Sequence, residues 1–199
     1  MVEWFVCSCP FKIIMHYDLF PTRIHAIQNF LEEKEFEEIK LLVKEDKKNL
    51  DVPDFESKVE THVETICYDL GVDLDAYDRV EVTETWGNVL NRGDDHPIHN
   101  HSNHIFSGVF YLTDGNPTVF MDPRPAADCF SLRYREGTQC FYEARVAAPA
   151  VPNTLVIFPS WLSHLVTPNK TEKVRKSISF NIILRGHYGQ PNSLQECRI

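Results

Sequence analysis

The segment RKSISFNIIL, residues 175–184, alternates polar and apolar residues with a period of two. On an extended strand successive side chains point to opposite faces, so Arg175, Ser177, Ser179 and Asn181 share one face and Ile178, Phe180, Ile182 and Leu184 the other. A half-exposed edge strand produces this pattern, and so does a strand whose polar face lines a barrel interior holding a charged ligand. The surrounding sequence bears on that choice. From Arg79 onward, short β-rich segments are separated by Gly, Pro, Asn and Asp, the texture of a sandwich or barrel. The segments are VEVTETW (80–86), IFSGVFYL (105–112), TVFM (118–121), FSLRY (130–134), CFYEARV (140–146), TLVIF (154–158) and KSISFNIIL (176–184), joined by turns such as TDGNP (113–117) and DPRP (122–125).

Upstream of these strands the period changes. After a short strand near Ile24–Ile27, Asn29 is placed to cap a helix running to about Lys48, with Phe36, Ile39, Leu42 and Val43 on one face. A second helix is expected from Asp54, after Pro53, burying Phe55, Val59, Val63, Ile66 and Leu70 and stopping at Gly71. The charged remainder of both helices reads as solvated surface with i,i+4 pairs. Two helices ahead of such strands predict a mainly β jelly roll with supporting α-helices packed on one sheet, the helical support spanning about 29–71 and the core about 79–186.

Size and composition set outer bounds. A chain of 199 residues fits one domain with a full core, taken here as residues 15–199 after a short N-terminal extension, 1–14. No apolar run approaches the roughly 18 residues of a membrane span. A formal net charge of −9 opposes binding along a phosphate backbone. The six cysteines form no CxxC pair, which suits reduced thiols and a cytoplasmic location better than a zinc framework or a disulfide scaffold. Glu3 stands where a signal peptide would be basic. The Asn100 and Asn169 sequons carry no meaning in a cytoplasm.

Chemistry concentrates in HPIHNHSNH (96–104), which holds four of the nine histidines. On a strand His99 and His101 aim at one point, while His104 falls on the opposite parity. A polar loop with several exposed histidines would contain the same letters. His164, in FPSWLSHLVTPN (158–169), is the candidate to join the pair, although a lone histidine between apolar strands is usually structural. HExxH, GxSxG, Walker and GxGxxG patterns are absent, and a Ser160–His164 hydrolase dyad is a remote reading.

HNH, SGVFYL, DPR, FPSWLSHLVTPN and RKSISFN, in this order, resemble a family of 2-oxoglutarate and Fe(II)-dependent oxygenases, many of them bacterial or viral. The resemblance runs from about Trp86 to Ile183, and LFPTRIHAI near the start is similar too. It implies a double-stranded β-helix. It also implies Fe(II) on His99, His101 and His164, with the far carboxylate of 2-oxoglutarate gripped by Arg175, eleven residues past His164. A guanidinium fork matches a carboxylate in a way lysine does not. Ser177 adds a hydroxyl, and Tyr111 points toward the same carboxylate. Trp86, Asn88, Arg92, His104, Arg124 and Asn181 lie in the resembling segments as candidate lining residues. The implied reaction hydroxylates or otherwise oxidises a small molecule or protein side chain, releasing succinate and CO2.

One position departs from the superfamily pattern, which places Asp or Glu two residues after the first histidine; this chain has His101. A cupin also uses HxH after a glycine, and Gly93 stands six residues before His99, but Ile105 or Phe106 occupies the place of the cupin glutamate. Three classes therefore stand side by side: a 2-oxoglutarate oxygenase, a cupin-like metalloenzyme without that cosubstrate, and a jelly roll that binds without catalysis.

Overall fold

The computed structural model describes residues 21–124, 144–190 and 192–199, together with the backbone of 7–9 and 12–14. Those last two segments, β1 (Cys7–Cys9) and β2 (Lys12–Ile14), pair with each other. The longest elements are β4 (Tyr77–Leu90) and β11 (Arg175–Tyr188), 14 residues each and antiparallel. On its other edge β11 pairs with β6 (Phe106–Tyr111), which pairs with β9 (Thr154–Pro159), which pairs with β3 (His25–Gln28). β12 (Cys197–Arg198) pairs with the end of β11. A second sheet runs in the order β5 (His96–His99), β10 (His164–Val166), β7 (Thr118–Met121), β8 (Arg145–Ala147).

The large sheet is buried on both faces, which explains why β6 is apolar or small throughout. Phe106, Phe110, Leu155, Ile157, Ile178, Phe180 and Ile182 face α1 (Glu33–Leu42) and α2 (Pro53–Asp69), packing with Phe36, Ile39, Phe55, Val59 and Val63. The Phe55 ring lies 5.2 Å from Phe110 and 5.9 Å from Phe180, the edge and tilted contacts aromatic quadrupoles favour. On the opposite face Val109, Tyr111, Val156 and Phe158 meet Phe120, Ala148 and Leu162. β11 is thus an interior strand, and the edge-strand reading of its alternation is excluded.

The helices are shorter than their periodicity suggests. Asn29 has φ +52 and lies before the helix, which starts instead with a reciprocal capping box between Glu32 and Glu35. α1 stops at Leu42 because the following segment turns onto the free edge of β4, where Lys47 exchanges backbone hydrogen bonds with Gly87 and the Leu50 N–H donates to the Thr85 carbonyl. This segment covers an edge that would otherwise invite pairing with another chain. Val43, buried against Gly87, anchors the turn, whereas Leu42 is exposed. α2 begins at Pro53 and ends before Gly71, at φ +75; the expected core residue Leu70 is exposed, lying past the last buried turn. The expected strand FSLRY and all of CFYEARV before Ala144 lie outside the described residues, as do most of residues 1–20.

Gly108 faces Phe180 across the β6–β11 ladder, and a Cβ there would overlap the Phe180 ring and stand 2.9 Å from the Val156 carbonyl oxygen. Gly108→Ala is expected to lower stability by about 1–3 kcal/mol through overpacking, and Phe180→Leu added to it should recover part of the loss, both read by chemical denaturation.

Candidate metal centre and anion pocket

Antiparallel pairing of β5 with β10 sets His99 directly opposite His164, and their rings lie 4.3 Å apart between centroids. His101 follows the end of β5, so its position comes from a tertiary contact and not from strand parity: its backbone N–H donates to the Ser160 carbonyl at 2.9 Å. Its ring is parallel to His164 at 5.3 Å and stacks on Trp86 at 5.8 Å. One nitrogen of each of His99, His101 and His164 falls within 4.8 Å of the others. Nitrogens bound to one ion at about 2.1 Å stand at most about 4.2 Å apart, so small ring rotations suffice to close the set on a metal.

Hydrogen bonds select the available nitrogen. Nδ1 of His99 bonds the Pro97 carbonyl at 2.7 Å and Nδ1 of His164 bonds the Leu162 carbonyl at 2.9 Å. A carbonyl only accepts, so each Nδ1 carries the proton and each Nε2 keeps its lone pair, the arrangement that orients histidine ligands in metal sites. Burial, followed by the charge of neighbouring histidines, pulls His101 down to about 4; burial likewise pulls His164 to about 4, against the bond to Leu162. Both are neutral at physiological pH, the form a metal requires.

The triad opens on a cavity of about 300 Å³ whose walls include Trp86, Asn88, Thr118, Arg175, Ser177 and Ser179. This lies at the small end of ligand pockets. Arg175 is 1% exposed, yet no acidic side chain pairs with it among the described residues. Its Nε donates to the Asn116 carbonyl at 2.8 Å and Nη1 to the Ser177 hydroxyl at 3.0 Å, while the guanidinium lies 5.3 Å from the centre of the Tyr111 ring. The Tyr111 ring lies beneath the cation, and its hydroxyl, which also interacts with the Arg175 guanidinium, donates to Thr118 Oγ1 and accepts from the Thr118 backbone N–H, each at 3.0 Å. A buried cation without a counter-ion favours an anionic occupant.

The remaining expected residues divide. Trp86 and Asn88 line the cavity, with Asn88 Nδ2 donating to Ser179 at 3.0 Å. Asn181 lies behind the triad, accepting from Ser107 at 2.8 Å and donating to Glu84 at 2.9 Å. His104 bonds Thr83 at 3.0 Å, outside the triad. Arg92 is exposed and paired with Glu172, and Arg124 is exposed beside Asp122; neither lines the cavity. Ser179, Thr118 and His96 line it without having been assigned to the site; Ser179 carried a signal through its parity with Ser177 and His96 through its place in the histidine cluster, whereas Thr118 carried none.

A family model described as "Putative 2OG-Fe(II) oxygenase" matches residues 84–181. No curated protein matches the chain in sequence. Among solved structures, the chain is similar to a prolyl-4-hydroxylase from Pseudomonas putida, at 15% identity and a TM-score of 0.57 over 85% of this chain and 96% of that one. It is similar to an oxidoreductase of the 2OG-Fe(II) oxygenase family from Burkholderia pseudomallei, at 10% identity and 0.56 over 80% and 84%. A third likeness is to HygX from Streptomyces hygroscopicus with nickel and 2-oxoglutarate bound, at 11% and 0.54 over 82% of each chain. At such identities the likeness establishes the fold, a double-stranded β-helix.

Tyr111→Phe should leave the Thr118 N–H unpaired in a buried position. A loss of about 1–3 kcal/mol in unfolding free energy is expected, measurable by denaturant titration.

Proposed function

From a chain whose residues 84–181 place it in the 2OG-Fe(II) oxygenase family, we propose an enzyme that oxidises its substrate at an Fe(II) held by His99, His101 and His164, with 2-oxoglutarate anchored on Arg175 and Ser177. The supporting observation is the pairing, in one cavity, of unprotonated imidazole nitrogens with a buried guanidinium that no acidic residue neutralises among the described residues. When bound, Fe(II) and 2-oxoglutarate supply O2 activation coupled to release of succinate and CO2. The protein's own groups position and shield. Nδ1 bonds to Pro97 and Leu162 hold two imidazoles in the ligating tautomer, and Trp86 fixes the plane of the third. Arg175 presents its fork to a carboxylate, with Ser177 beside it. Phe158, Val109 and Val166 line the apolar part of the cavity and restrict water.

Three neutral imidazoles leave both charges of a divalent ion uncompensated, which favours a dianionic cosubstrate in the remaining positions. A cupin-like reaction without 2-oxoglutarate would leave Arg175 without a role. No described helix is long and apolar enough to cross a membrane. A cytoplasmic location suits the free thiols of Cys67 and Cys197. The substrate is a small molecule or a protein side chain.

Under anaerobic conditions Fe(II) and 2-oxoglutarate together are expected to raise the melting temperature, since affinity for the native state adds to its stability. Arg175→Leu should leave metal content near wild type and weaken 2-oxoglutarate by roughly thirtyfold to a few thousandfold, the cost of removing one partner of a buried charge pair. An unchanged dissociation constant by calorimetry would return the weight to the cupin-like reading.

His101→Ala should reduce Fe(II) binding about as severely as His99→Ala or His164→Ala, with His101→Asp restoring part of it and His104→Ala having less effect. Iron content after anaerobic gel filtration measures all five; retention by His101→Ala together with loss by His104→Ala would overturn the ligand set.

A further inference from the structure

A second cleft, of about 650 Å³, opens along the same sheet face, lined in part by Thr83, Glu84, His104, Ile183, Arg185 and Tyr188. Its position follows from register. Trp86, stacked on His101, pairs with Ser179 of β11. At about 3.3 Å per residue, Arg175 lies roughly 13 Å from Ser179 in one direction and Ile183 roughly 13 Å in the other. Glu84 is the next residue of β4 on the face that carries Trp86, and it pairs with Asn181. The cleft and the anion pocket therefore flank the histidine triad from opposite sides.

The chemistry of the cleft is one-sided near the triad. At Thr83 the register of β4 against β11 shifts, with Asn181 opposite Glu84 and Ile182 opposite Val82, so Thr83 is left without a partner in the ladder. The Thr83 hydroxyl donates to the Asn181 carbonyl at 3.3 Å, and it then accepts from Nε2 of His104 at 3.0 Å. This leaves Nδ1 of His104 as a lone-pair acceptor, and that atom is buried without a partner. A buried polar acceptor without a protein partner calls for a donor from elsewhere, and a ligand can supply one. Beside it, Glu84 spends one carboxylate oxygen on Asn181, and the other has no hydrogen-bond partner among the described residues. The cation of the cleft, Arg185, is already committed to Glu81 through bonds of 3.1 and 2.8 Å. Ile105, Ile183, Ile199 and Tyr188 supply apolar wall.

We propose that this cleft binds the substrate to be oxidised, and that the substrate brings an ammonium or guanidinium group on an apolar stem to Glu84 and Nδ1 of His104. The assignment as substrate site rests on the reading of the triad as the oxidising centre. An N–H donor satisfies the free Glu84 oxygen directly and Nδ1 of His104 once the imidazole turns toward the cleft, and a positive charge is matched by the carboxylate. A carboxylate or phosphate would meet only lone pairs and a like charge there. The net charge of −9 draws cationic ligands toward the molecule as a whole.

The test uses n-butylammonium and n-butylguanidinium, with butyrate and n-butanol as controls, on the metal-free full chain. Histidine ring nitrogens are observed by NMR. Both cations are expected to shift Nδ1 of His104 saturably and butyrate is not. Glu84→Gln, a change at an exposed position, should weaken both cations by roughly tenfold, the share of one charge-assisted hydrogen bond. In protein loaded with Co(II), the protons of a bound cation should relax faster through proximity to the paramagnetic ion. Butyrate binding as tightly as the cations, Glu84→Gln without effect, or bound cations untouched by Co(II) would each overturn the proposal. Failure of the metal reading is separate and is seen first, as absence of the Co(II) visible band before any cation is added.

Discussion

Strand β11 lies in the middle of the large sheet and buries two chemically opposite faces, a constraint that organises the rest of the structure. Ile178, Phe180 and Ile182 on one side require an apolar cover, which α1 and α2 provide. Arg175, Ser177 and Asn181 on the other side require polar partners, because burying them unpaired costs more than the hydrophobic face returns. The second sheet meets that need only in part. It brings Thr118, His99 and His164 over this face and leaves a cavity where the guanidinium has neutral acceptors and no counter-ion among the described residues.

The remaining geometry follows from supporting that cavity. The turn carrying Gly115 and Asn116 packs on the Arg175 stem, and Asn116 ties it to the Thr167 and Pro168 carbonyls. Asn181 joins Ser107 and Glu84, while the Ser107 and Ser160 hydroxyls bond at 2.8 Å. The Ser160 carbonyl then holds the backbone of His101. A polar network of this kind is stabilising only when its members are satisfied. The unpartnered Nδ1 of His104 is conspicuous for that reason.

Replacing the usual carboxylate by His101 changes both charge and shape. The ring lies near-parallel to Trp86 at 5.8 Å and parallel to His164 at 5.3 Å, and its burial keeps it neutral. A carboxylate at this place would be shorter and would lose the ring contacts with Trp86 and His164.

Much of this was legible in the linear chain because it depends on local periodicity. Period-two alternation in 175–184, the apolar run of β6, Pro53 at the start of α2 and Gly71 after its end act through neighbouring residues. The spacing of His99 and His101 also drew attention to two residues that the structure gathers with His164, though for an incomplete reason: His101 is outside the strand and owes its place to Ser160, far along the chain. Where α1 ends was not legible, since the edge of β4 competes for the same backbone groups. Nor was the fate of the arginines. Arg92, Arg124 and Arg175 look alike as letters, yet the first two pair with acids at the surface and the third is sealed between two sheets. Propensity and pattern are properties of adjacent residues and are written in the sequence; burial, register between distant strands and the presence or absence of a counter-ion arise only when segments many residues apart are brought into contact.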